Sequence, residues 1–441
     1  MNRVVRHTLG SPVVGYPLAV AVPVAVAWAI DTGAAGGLAP RLAVSVGMGA
    51  LLLLVVTLVL PSRVRALVSA FGIETVLRAH RVVAVSAVVL VAAHVVLVVA
   101  TDPRGVSILD LRDTTYAAWA ATVSTLGLAG VVVPALRRRR RRPRYEGWRM
   151  LHVLLAVTVL TTAWLHVWWL DGLEGRAVVL AVYVVLTVAT AAVLLRRWVW
   201  LPMRAHRRTY VVEGVRPEAG DVVTVAVKAH GHNGLPFEAG QFAWLKIGAS
   251  PYVFEEHPFT IASTAEAPHL KQFTIKALGD FSELVAGLRP GRHVYLDGPY
   301  GSFTIEGLKA SEGFVMIAGG VGLTPMMSML RTLSDRGDPR HHYLFVGART
   351  VDDLMLRDEV RRLCRRLHVT VTEVLEDPGP GWRGETGRID AALLRRRLPH
   401  HARRHDYFLC GPPVMVAAVG HDLRDLGVPV NRIHTEQFEV V

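Results

Sequence analysis

The chain has 441 residues, enough for two or three domains, and its 49 Lys and Arg against 36 Asp and Glu give a net charge of +13. Much of the arginine lies in short runs beside apolar segments, which indicates membrane orientation and argues against nucleic-acid binding. Only two cysteines occur, Cys364 and Cys410, which excludes a disulfide framework and a cysteine-based zinc site.

Residues 1 to about 200 are rich in Val, Ala and Leu, and six apolar stretches there predict six transmembrane helices, each close to the roughly 20 residues needed to cross a bilayer. They lie at about 13–30, 42–60, 82–100, 115–135, 151–170 and 177–195. The first follows Arg3 and Arg6, so a signal peptide is the alternative to a retained span. We favour a retained span.

The connections between these stretches predict the orientation. The 61–81 and 137–149 connections are rich in arginine and are predicted to be cytoplasmic, whereas 101–113 and 171–176 carry mixed charge and are predicted to lie outside. Both termini and the globular half then face the cytosol. The run Arg137–Arg142 is read as an orientation signal, with a docking site for an acidic partner or for anionic lipid as the alternatives.

Four histidines lie inside the predicted membrane helices, two on the third span and two on the fifth: His80, His94, His152 and His166. Each pair is separated by fourteen residues, nearly four helical turns, so its members face the same way about 21 Å apart. Because the two spans run in the same direction, His80 pairs with His152 near the cytoplasmic face and His94 with His166 near the outer face.

Two imidazoles from facing helices can occupy both axial positions of a heme iron. We therefore predict that the two histidine pairs are metal ligands that hold two hemes. The alternatives are hydrogen-bonding between helices and a proton relay, since polar groups in the hydrocarbon region are costly and usually functional.

The remaining residues read as two nucleotide-binding domains. Short alternating strands between about 207 and 305 predict a small antiparallel barrel, with one strand at Phe259–Ser263. After about 311, apolar runs such as Phe314–Ala318 alternate with helical segments such as Met326–Leu333, which predicts βαβ units around a parallel sheet. The run Gly319–Pro325 follows a strand and opens a helix, as phosphate-binding loops do; a plain tight turn is the alternative.

Five motifs in this order resemble the ferric reductase and NADPH oxidase superfamily, in particular a bacterial flavocytochrome b like the NADPH oxidases. They are the spaced histidines, His257-Pro258-Phe259-Thr260, Gly298-Pro299-Tyr300-Gly301, the Gly319–Pro325 loop and Cys410-Gly411-Pro412-Pro413. The resemblance implies a six-helix membrane bundle at 1–205, an FAD-binding β-barrel domain at 206–306 and an α/β NAD(P)H-binding domain at 307–441.

The resemblance also assigns the flavin-binding residues. It places His257, Pro258, Phe259 and Thr260 at the flavin, with the Thr260 hydroxyl positioned to hydrogen-bond the isoalloxazine. Lys276, Gly279 and Ser282 resemble the loop that binds the FAD pyrophosphate. Relatives often place a C-terminal aromatic residue over the flavin, for which Phe438 is the candidate.

For NAD(P)H, the resemblance assigns two glycine-rich segments, the Gly298–Gly301 turn and the loop containing Gly319, Gly320, Gly322, Thr324 and Pro325. Thr324 is expected near the nicotinamide, and Cys410, with Gly411 and Pro412 after it, near the site of hydride transfer. Arg349 follows the second strand of this domain and suits a ribose 2′-phosphate, which favours NADPH over NADH; a surface arginine is the alternative.

The predicted function is transmembrane electron transfer from cytosolic NAD(P)H, through FAD and two b-type hemes, to an acceptor outside the cytoplasm. Molecular oxygen, giving superoxide, is favoured because the predicted outer loops are short. A ferric chelate and a periplasmic redox partner are the alternatives within this function. A transporter or proton channel with a regulatory nucleotide-binding domain is the alternative of a different class.

Overall fold

The computed structural model describes residues 12–30, 37–104, 106, 110, 112, 115–137, 145–170, 177–277, 279–308, 310–398 and 401–437. The chain divides into two compact units, 1–200 and 201–441. Phe438 and residues 138–142 of the arginine run lie outside the described residues, so the predictions about them stay predictions.

The first unit is helical because its sequence is mostly a succession of long apolar runs, in which the occasional glycine and proline do not end the helices. Its helices are α1 (Pro12–Ile30), α2 (Leu38–Val59), α3 (Arg65–Phe71), α4 (Ile73–Thr101), α5 (Tyr116–Arg137), α6 (Tyr145–Trp168) and α7 (Ala177–Leu195). In the described part of the chain, five helices are long and apolar enough to cross a membrane, and the apolar part of α1, Val20–Ala29, is shorter. These helices indicate a multi-pass membrane protein.

The helices of the first unit pack through small and branched side chains. Val46 and Leu54 of α2 share a core with Ala87 and Leu90 of α4 and with Val159 of α6. Between membrane helices, close packing of this kind replaces the hydrophobic driving force that water supplies elsewhere.

The second unit opens with a short helix, α8 (Leu201–His206), followed by an antiparallel sheet. Its strands are β1 (Tyr210–Pro217), β2 (Val222–Ala229), β3 (Phe242–Ile247), β4 (His257–Thr260), β5 (Leu270–Lys276) and β6 (His293–Tyr300), with helix α9 (Asp280–Ala286) after β5. The strand order is β4-β3-β6-β1-β2-β5, and alternate residues such as Val225, Leu245 and Phe273 form the core.

The antiparallel prediction is confirmed, but the strand predicted at Phe259–Ser263 lies at His257–Thr260. Beyond Thr260 the chain leaves its pairing with β3. Ile261 N still donates to Gln241 O at 2.9 Å, whereas Ala262 N donates to Gln272 O, in β5, at 2.8 Å. The chain therefore crosses from one edge strand to the other directly after the predicted flavin-binding strand.

The parallel sheet comprises β7 (Phe314–Gly319), β8 (His342–Ala348), β9 (Val369–Leu375), β10 (Glu385–Thr386), β11 (Asp406–Gly411) and β12 (Ile433–Gln437). Helices α10 (Leu323–Asp335), α11 (Arg357–Leu363), α12 (Ala391–Arg397) and α13 (Pro413–Asp425) connect these strands. The order β10-β9-β8-β7-β11-β12 places β7 and β11 side by side within the sheet, and every residue of both is buried. The predicted parallel α/β domain is thus confirmed.

Candidate functional site

The two histidines of α4 are both held by backbone carbonyls of α2. His80 Nδ1 lies 3.0 Å from the Thr57 carbonyl oxygen, and His94 Nδ1 lies 2.9 Å from that of Ala43. Thr57 and Ala43 are themselves fourteen residues apart, so the antiparallel helices keep one register over the whole distance between the two histidines. A carbonyl accepts only from N–H, so each ring carries its proton on Nδ1 and leaves the Nε2 lone pair free to bind a metal.

A proline explains why the Thr57 carbonyl is available. In an α-helix this carbonyl would accept from the N–H four residues later, which here belongs to Pro61. Proline has no N–H, so the carbonyl has no helical donor and accepts from His80 instead. The sequence signal was a proline one helical turn after the acceptor residue.

Gly47, one turn after Ala43 on α2, makes room for the His94 ring. A Cβ at position 47 would lie 2.7 Å from His94 Cε1 and 2.8 Å from Nδ1, closer than real Cβ atoms approach. The imidazole therefore packs directly on the glycine backbone. Sequence reasoning missed Gly47 because a small residue in a membrane helix usually indicates only close helix packing.

The rings of the two outer histidines lie close to each other. His166 Nδ1 lies 2.9 Å from the Ala117 carbonyl oxygen of α5, and the ring centroids of His94 and His166 are 6.4 Å apart with planes at 69°. Two metal–nitrogen bonds of about 2 Å plus two ring half-widths of about 1 Å span roughly 6 Å. The pair therefore fits an iron between two Nε2 atoms.

His152 differs from the other three histidines. Its Nδ1 is buried and has no hydrogen-bond partner among the described residues, and its ring lies 5.2 Å from that of Trp148. A buried nitrogen without a partner is costly unless a ligand completes the site. Within the described ranges, no group of three or more His, Cys, Asp or Glu side chains could hold a metal ion.

The predicted flavin strand β4 lies at an edge of the antiparallel sheet, paired only with β3. Thr260 faces inward and is 5% exposed, yet its Oγ1 is buried without a hydrogen-bond partner among the described residues. His257 and Phe259 lie 4.3 Å and 6.0 Å from the Phe281 ring, centroid to centroid. An edge strand with an unsatisfied buried hydroxyl beside aromatic rings fits a flat heteroaromatic ligand such as the isoalloxazine.

The segment predicted to hold the FAD pyrophosphate forms the start of α9. Gly279 N donates to Ser282 Oγ at 3.0 Å, and Ser282 Oγ donates to Gly279 O at 2.7 Å, so the hydroxyl already caps the turn. Lys276 ends β5 with an exposed side chain. Gly279 and Ser282 thus lie in one turn at the start of α9, and Lys276 precedes that turn in sequence; the backbone N–H groups of the turn and the lysine are the candidate anion ligands.

The Gly319–Pro325 loop leaves β7 and turns into α10, and it lies against the end of β11. A Cβ on Gly322 would lie 2.2 Å from the Cys410 carbonyl oxygen, and one on Gly319 would lie 2.8 Å from Met415 Sδ. Only glycine permits this approach. The structure therefore brings together Gly319, Gly322 and Cys410 at the carboxyl ends of adjacent parallel strands, where ligands of open α/β sheets bind.

The other residues assigned to NAD(P)H do not all lie at this end of the parallel sheet. The Thr324 hydroxyl donates to Val321 O at 2.8 Å inside the loop. Arg349 follows β8 and is exposed. The Gly298–Gly301 turn ends β6 of the antiparallel sheet, where the Tyr300 side chain is buried and donates to Asp297 Oδ1 at 2.8 Å.

Burial shifts the pKa values of several groups in the second unit, among them those of Lys271 and His342. Lys271 is buried in the core of the antiparallel sheet, donates to Leu235 O at 2.7 Å and lies 4.1 Å above the Phe237 ring. Desolvation lowers the pKa of Lys271 to about 7. In the parallel sheet, desolvation lowers the pKa of His342 to about 4, although Asp338 beside it opposes the shift.

Three family models match the chain in sequence order. Residues 46–163 match the ferric reductase like transmembrane component, 211–304 match an FAD-binding domain, and 316–421 match an oxidoreductase NAD-binding domain. These matches support binding of FAD and NAD(P)H by the two sheets described above.

Individual relatives match about half of the chain. The reductase component of propane 2-monooxygenase from Rhodococcus jostii is 34% identical over 240 residues, which are 52% of this chain and 62% of the relative. Ferredoxin–NADP reductase B from Sorangium cellulosum is 31% identical over 242 residues, 51% of this chain and 95% of the relative. Among solved structures, the Amycolatopsis cytochrome P450 reductase GcoB has 27% identity and a TM-score of 0.46, over 52% of this chain and 69% of that one.

The fold and the matched domains define an oxidoreductase with FAD- and NAD-binding domains joined to membrane helices. A ferric reductase transmembrane component followed by these two domains is the architecture of the ferric reductase and NADPH oxidase superfamily. The predicted resemblance is thereby confirmed.

Proposed function

We propose that this protein is a transmembrane oxidoreductase of the flavocytochrome b type, which uses FAD and two b-type hemes to carry electrons from cytosolic NAD(P)H to an acceptor outside the cytoplasm. The 6.4 Å approach of the His94 and His166 rings, each anchored through Nδ1, is the observation that carries the proposal. When bound, the cofactors supply the redox chemistry: they allow the two electrons of a hydride to be passed on one at a time.

In this proposal the four histidines of the membrane unit are the heme ligands. His80 and His152 would hold the cytoplasmic heme, and His94 and His166 would hold the outer one. The carbonyls that accept from Nδ1 of His80, His94 and His166 fix the orientation of these three rings and increase the basicity of their Nε2 atoms. Arginine-rich connections on the side of His80 support the orientation with the FAD- and NAD-binding domains in the cytosol.

In the second unit, the residues position a pyridine nucleotide against a flavin. The Thr260 hydroxyl, which has no partner among the described residues, would donate to the flavin, and His257, Pro258 and Phe259 would line the flavin edge. The Gly319–Pro325 loop would receive the nucleotide pyrophosphate, with Thr324 and Cys410 beside the nicotinamide. Arg349 is exposed and suits the 2′-phosphate of NADPH, and NADH is the alternative donor.

Molecular oxygen is the proposed acceptor, and superoxide the product, because the connections after α4 and α6 are short and leave little room for a dedicated chelate site. A ferric chelate is the second candidate, favoured by the match of residues 46–163 to the ferric reductase component. A redox protein is a third candidate, since several relatives are by name reductase components of larger enzymes.

The test is NADPH oxidation by the purified full-length protein with oxygen or a ferric chelate, each with and without superoxide dismutase and an Fe(II) trap. Two superoxide ions per NADPH, with iron reduction abolished by dismutase, support the oxygen assignment. Iron reduction that dismutase leaves unchanged assigns the ferric chelate instead.

Two variants test whether electrons pass through the outer histidine pair. His94→Leu removes an outer ligand and is expected to abolish transfer to the outside acceptor, whereas Val96→Leu, at an exposed position on the same helix, is expected to retain it. Unchanged transfer in His94→Leu indicates a reductase that is merely anchored by its helices. Absence of heme after heme-replete expression indicates the transporter or channel alternative.

A further inference from the structure

Helix α10 begins in the loop assigned to the nucleotide and is buried almost throughout. Three of its polar side chains, Ser328, Arg331 and Thr332, lie on one face and are only 0%, 8% and 0% exposed. Burial of polar groups is unfavourable unless each finds a partner. The hydrogen-bond partners of these three side chains therefore indicate the role of this face.

All three side chains bind the backbone just after the flavin strand β4. Ser328 Oγ donates to Ser263 O at 2.9 Å, Thr332 Oγ1 accepts from Ala265 N at 2.9 Å, and Arg331 Nη1 donates to the Ala262 carbonyl. The bonded segment begins two residues after Thr260. Because backbone groups are the partners, these bonds fix the position of the chain itself rather than that of replaceable side chains.

Two further contacts stiffen this arrangement. Arg331 Nε lies 2.7 Å from Glu359 Oε1 of α11, and this hydrogen bond lowers the pKa of Glu359 against the opposing effect of burial. Gly240 N donates to Ser328 Oγ at 3.3 Å, and a Cβ at Gly240 would lie 2.7 Å from Met329 Cε. The barrel thus approaches α10 closely at a glycine with a φ of +99°.

We propose that Ser328, Arg331 and Thr332 form a positioning clamp that fixes the nucleotide-binding loop relative to the flavin-binding strand and so sets the rate of hydride transfer. The inference rests on the proposed function. In this step NAD(P)H gives one hydride, two electrons with one proton, to the bound flavin and leaves as NAD(P)⁺. Thr324 is one helical turn, about 6 Å, from Ser328, so the path between the two ligand sites is short and rigid.

Misplacement of reacting groups by about 1 Å can cost about 100-fold in rate. Thr332→Val keeps the shape of the side chain but leaves Ala265 N without its acceptor. We expect the rate constant of flavin bleaching by NADPH, measured anaerobically by stopped flow on the full-length protein, to fall about 10- to 100-fold. FAD content and the NADPH concentration at half-maximal rate should change less than about twofold, because no group that binds either ligand is altered.

Thr370→Val is the matched control. Thr370 is the second residue of β9, at the amino end of that strand, and its hydroxyl lies 2.8 Å from His341 Nε2. Its flavin bleaching should match that of the wild type. Arg331→Lys is the second clamp variant, should Thr332→Val lose FAD; it keeps a positive charge for Glu359, and we expect an intermediate rate constant with full FAD content.

The results of these experiments distinguish failure of the clamp from failure of the proposed function. Clamp variants that retain FAD and bleach as fast as Thr370→Val overturn the clamp, as does a change confined to the half-saturating NADPH concentration. A wild-type protein whose flavin NAD(P)H does not bleach overturns the proposed function itself. A slowed rate constant together with a weakened long-wavelength absorbance of the NADPH–flavin complex supports the clamp, because that absorbance reports the stacking distance.

Discussion

Replacing Gly47 by alanine tests whether His94 is held by helix α2. The added Cβ would lie 2.7 Å from His94 Cε1, whereas ordinary contacts begin at 3.4 Å. The ring must therefore move by about 0.7 Å, the difference between these two distances. A shift of this size away from α2 stretches the 2.9 Å contact between Nδ1 and the Ala43 carbonyl.

The expected loss of heme affinity in Gly47→Ala follows from two effects. The hydrogen bond contributes about 1 kcal/mol, and loss of a partner that orients a metal ligand typically costs about 10- to 100-fold in metal affinity. We expect Gly47→Ala to lose the outer heme selectively, so that the purified protein falls from two hemes per flavin toward one. The flavin content should be unchanged.

The assay is the heme-to-flavin ratio of the purified protein, with anaerobic reduction by NADPH to show whether the remaining heme still receives electrons. Gly147→Ala is the control, because this glycine is exposed on α6 and a Cβ there meets nothing within 4 Å. A Gly47→Ala protein with two hemes per flavin and an unchanged spectrum would refute the reasoning about His94.

Three further predictions concern the second unit. Thr260→Val should weaken FAD retention or shift the flavin spectrum, because it removes the unpaired buried hydroxyl; wild-type values of both would contradict its role. Arg349→Ala should raise the KM for NADPH about 10- to 100-fold and leave that for NADH unchanged, as expected for loss of a charged hydrogen bond of about 1.5–3 kcal/mol; equal effects on both nucleotides would remove it from the 2′-phosphate site. His342 is neutral when buried, with its pKa lowered to about 4, so its contribution to stability is present above pH 6.5 and is lost as the pH falls toward 4. The temperature of flavin release should therefore fall between pH 7 and pH 5, by the equivalent of about 2 kcal/mol, and His342→Gln should flatten that dependence.

The spacing of the histidines could be read from the sequence because a helical period converts residue numbers directly into positions along an axis. Their anchors could not, since the acceptors are backbone carbonyls of Ala43, Thr57 and Ala117, and a carbonyl has no residue-type signature. Pro61 was the one available signal, through the donor that it lacks.

In the second unit, strands that are apolar runs, such as β7 and β11, were predictable from composition. Strand β12 was not, because its sequence from Ile433 to Gln437 is mostly polar and it forms by pairing with β11. The buried face of α10 was also missed. In the sequence of α10 alone, polar residues at positions 328, 331 and 332 resemble a solvent-facing stripe. Their hydrogen-bond partners lie in the segment that follows β4 of the antiparallel sheet.

Anaerobic addition of NADPH to the purified full-length protein, followed by absorbance, tests the central claim most directly. We predict flavin bleaching followed by the reduced spectrum of a b-type heme, with two hemes per flavin in the wild type and one in His94→Leu. Flavin bleaching without any heme spectrum, or an unchanged heme content in His94→Leu, would contradict it.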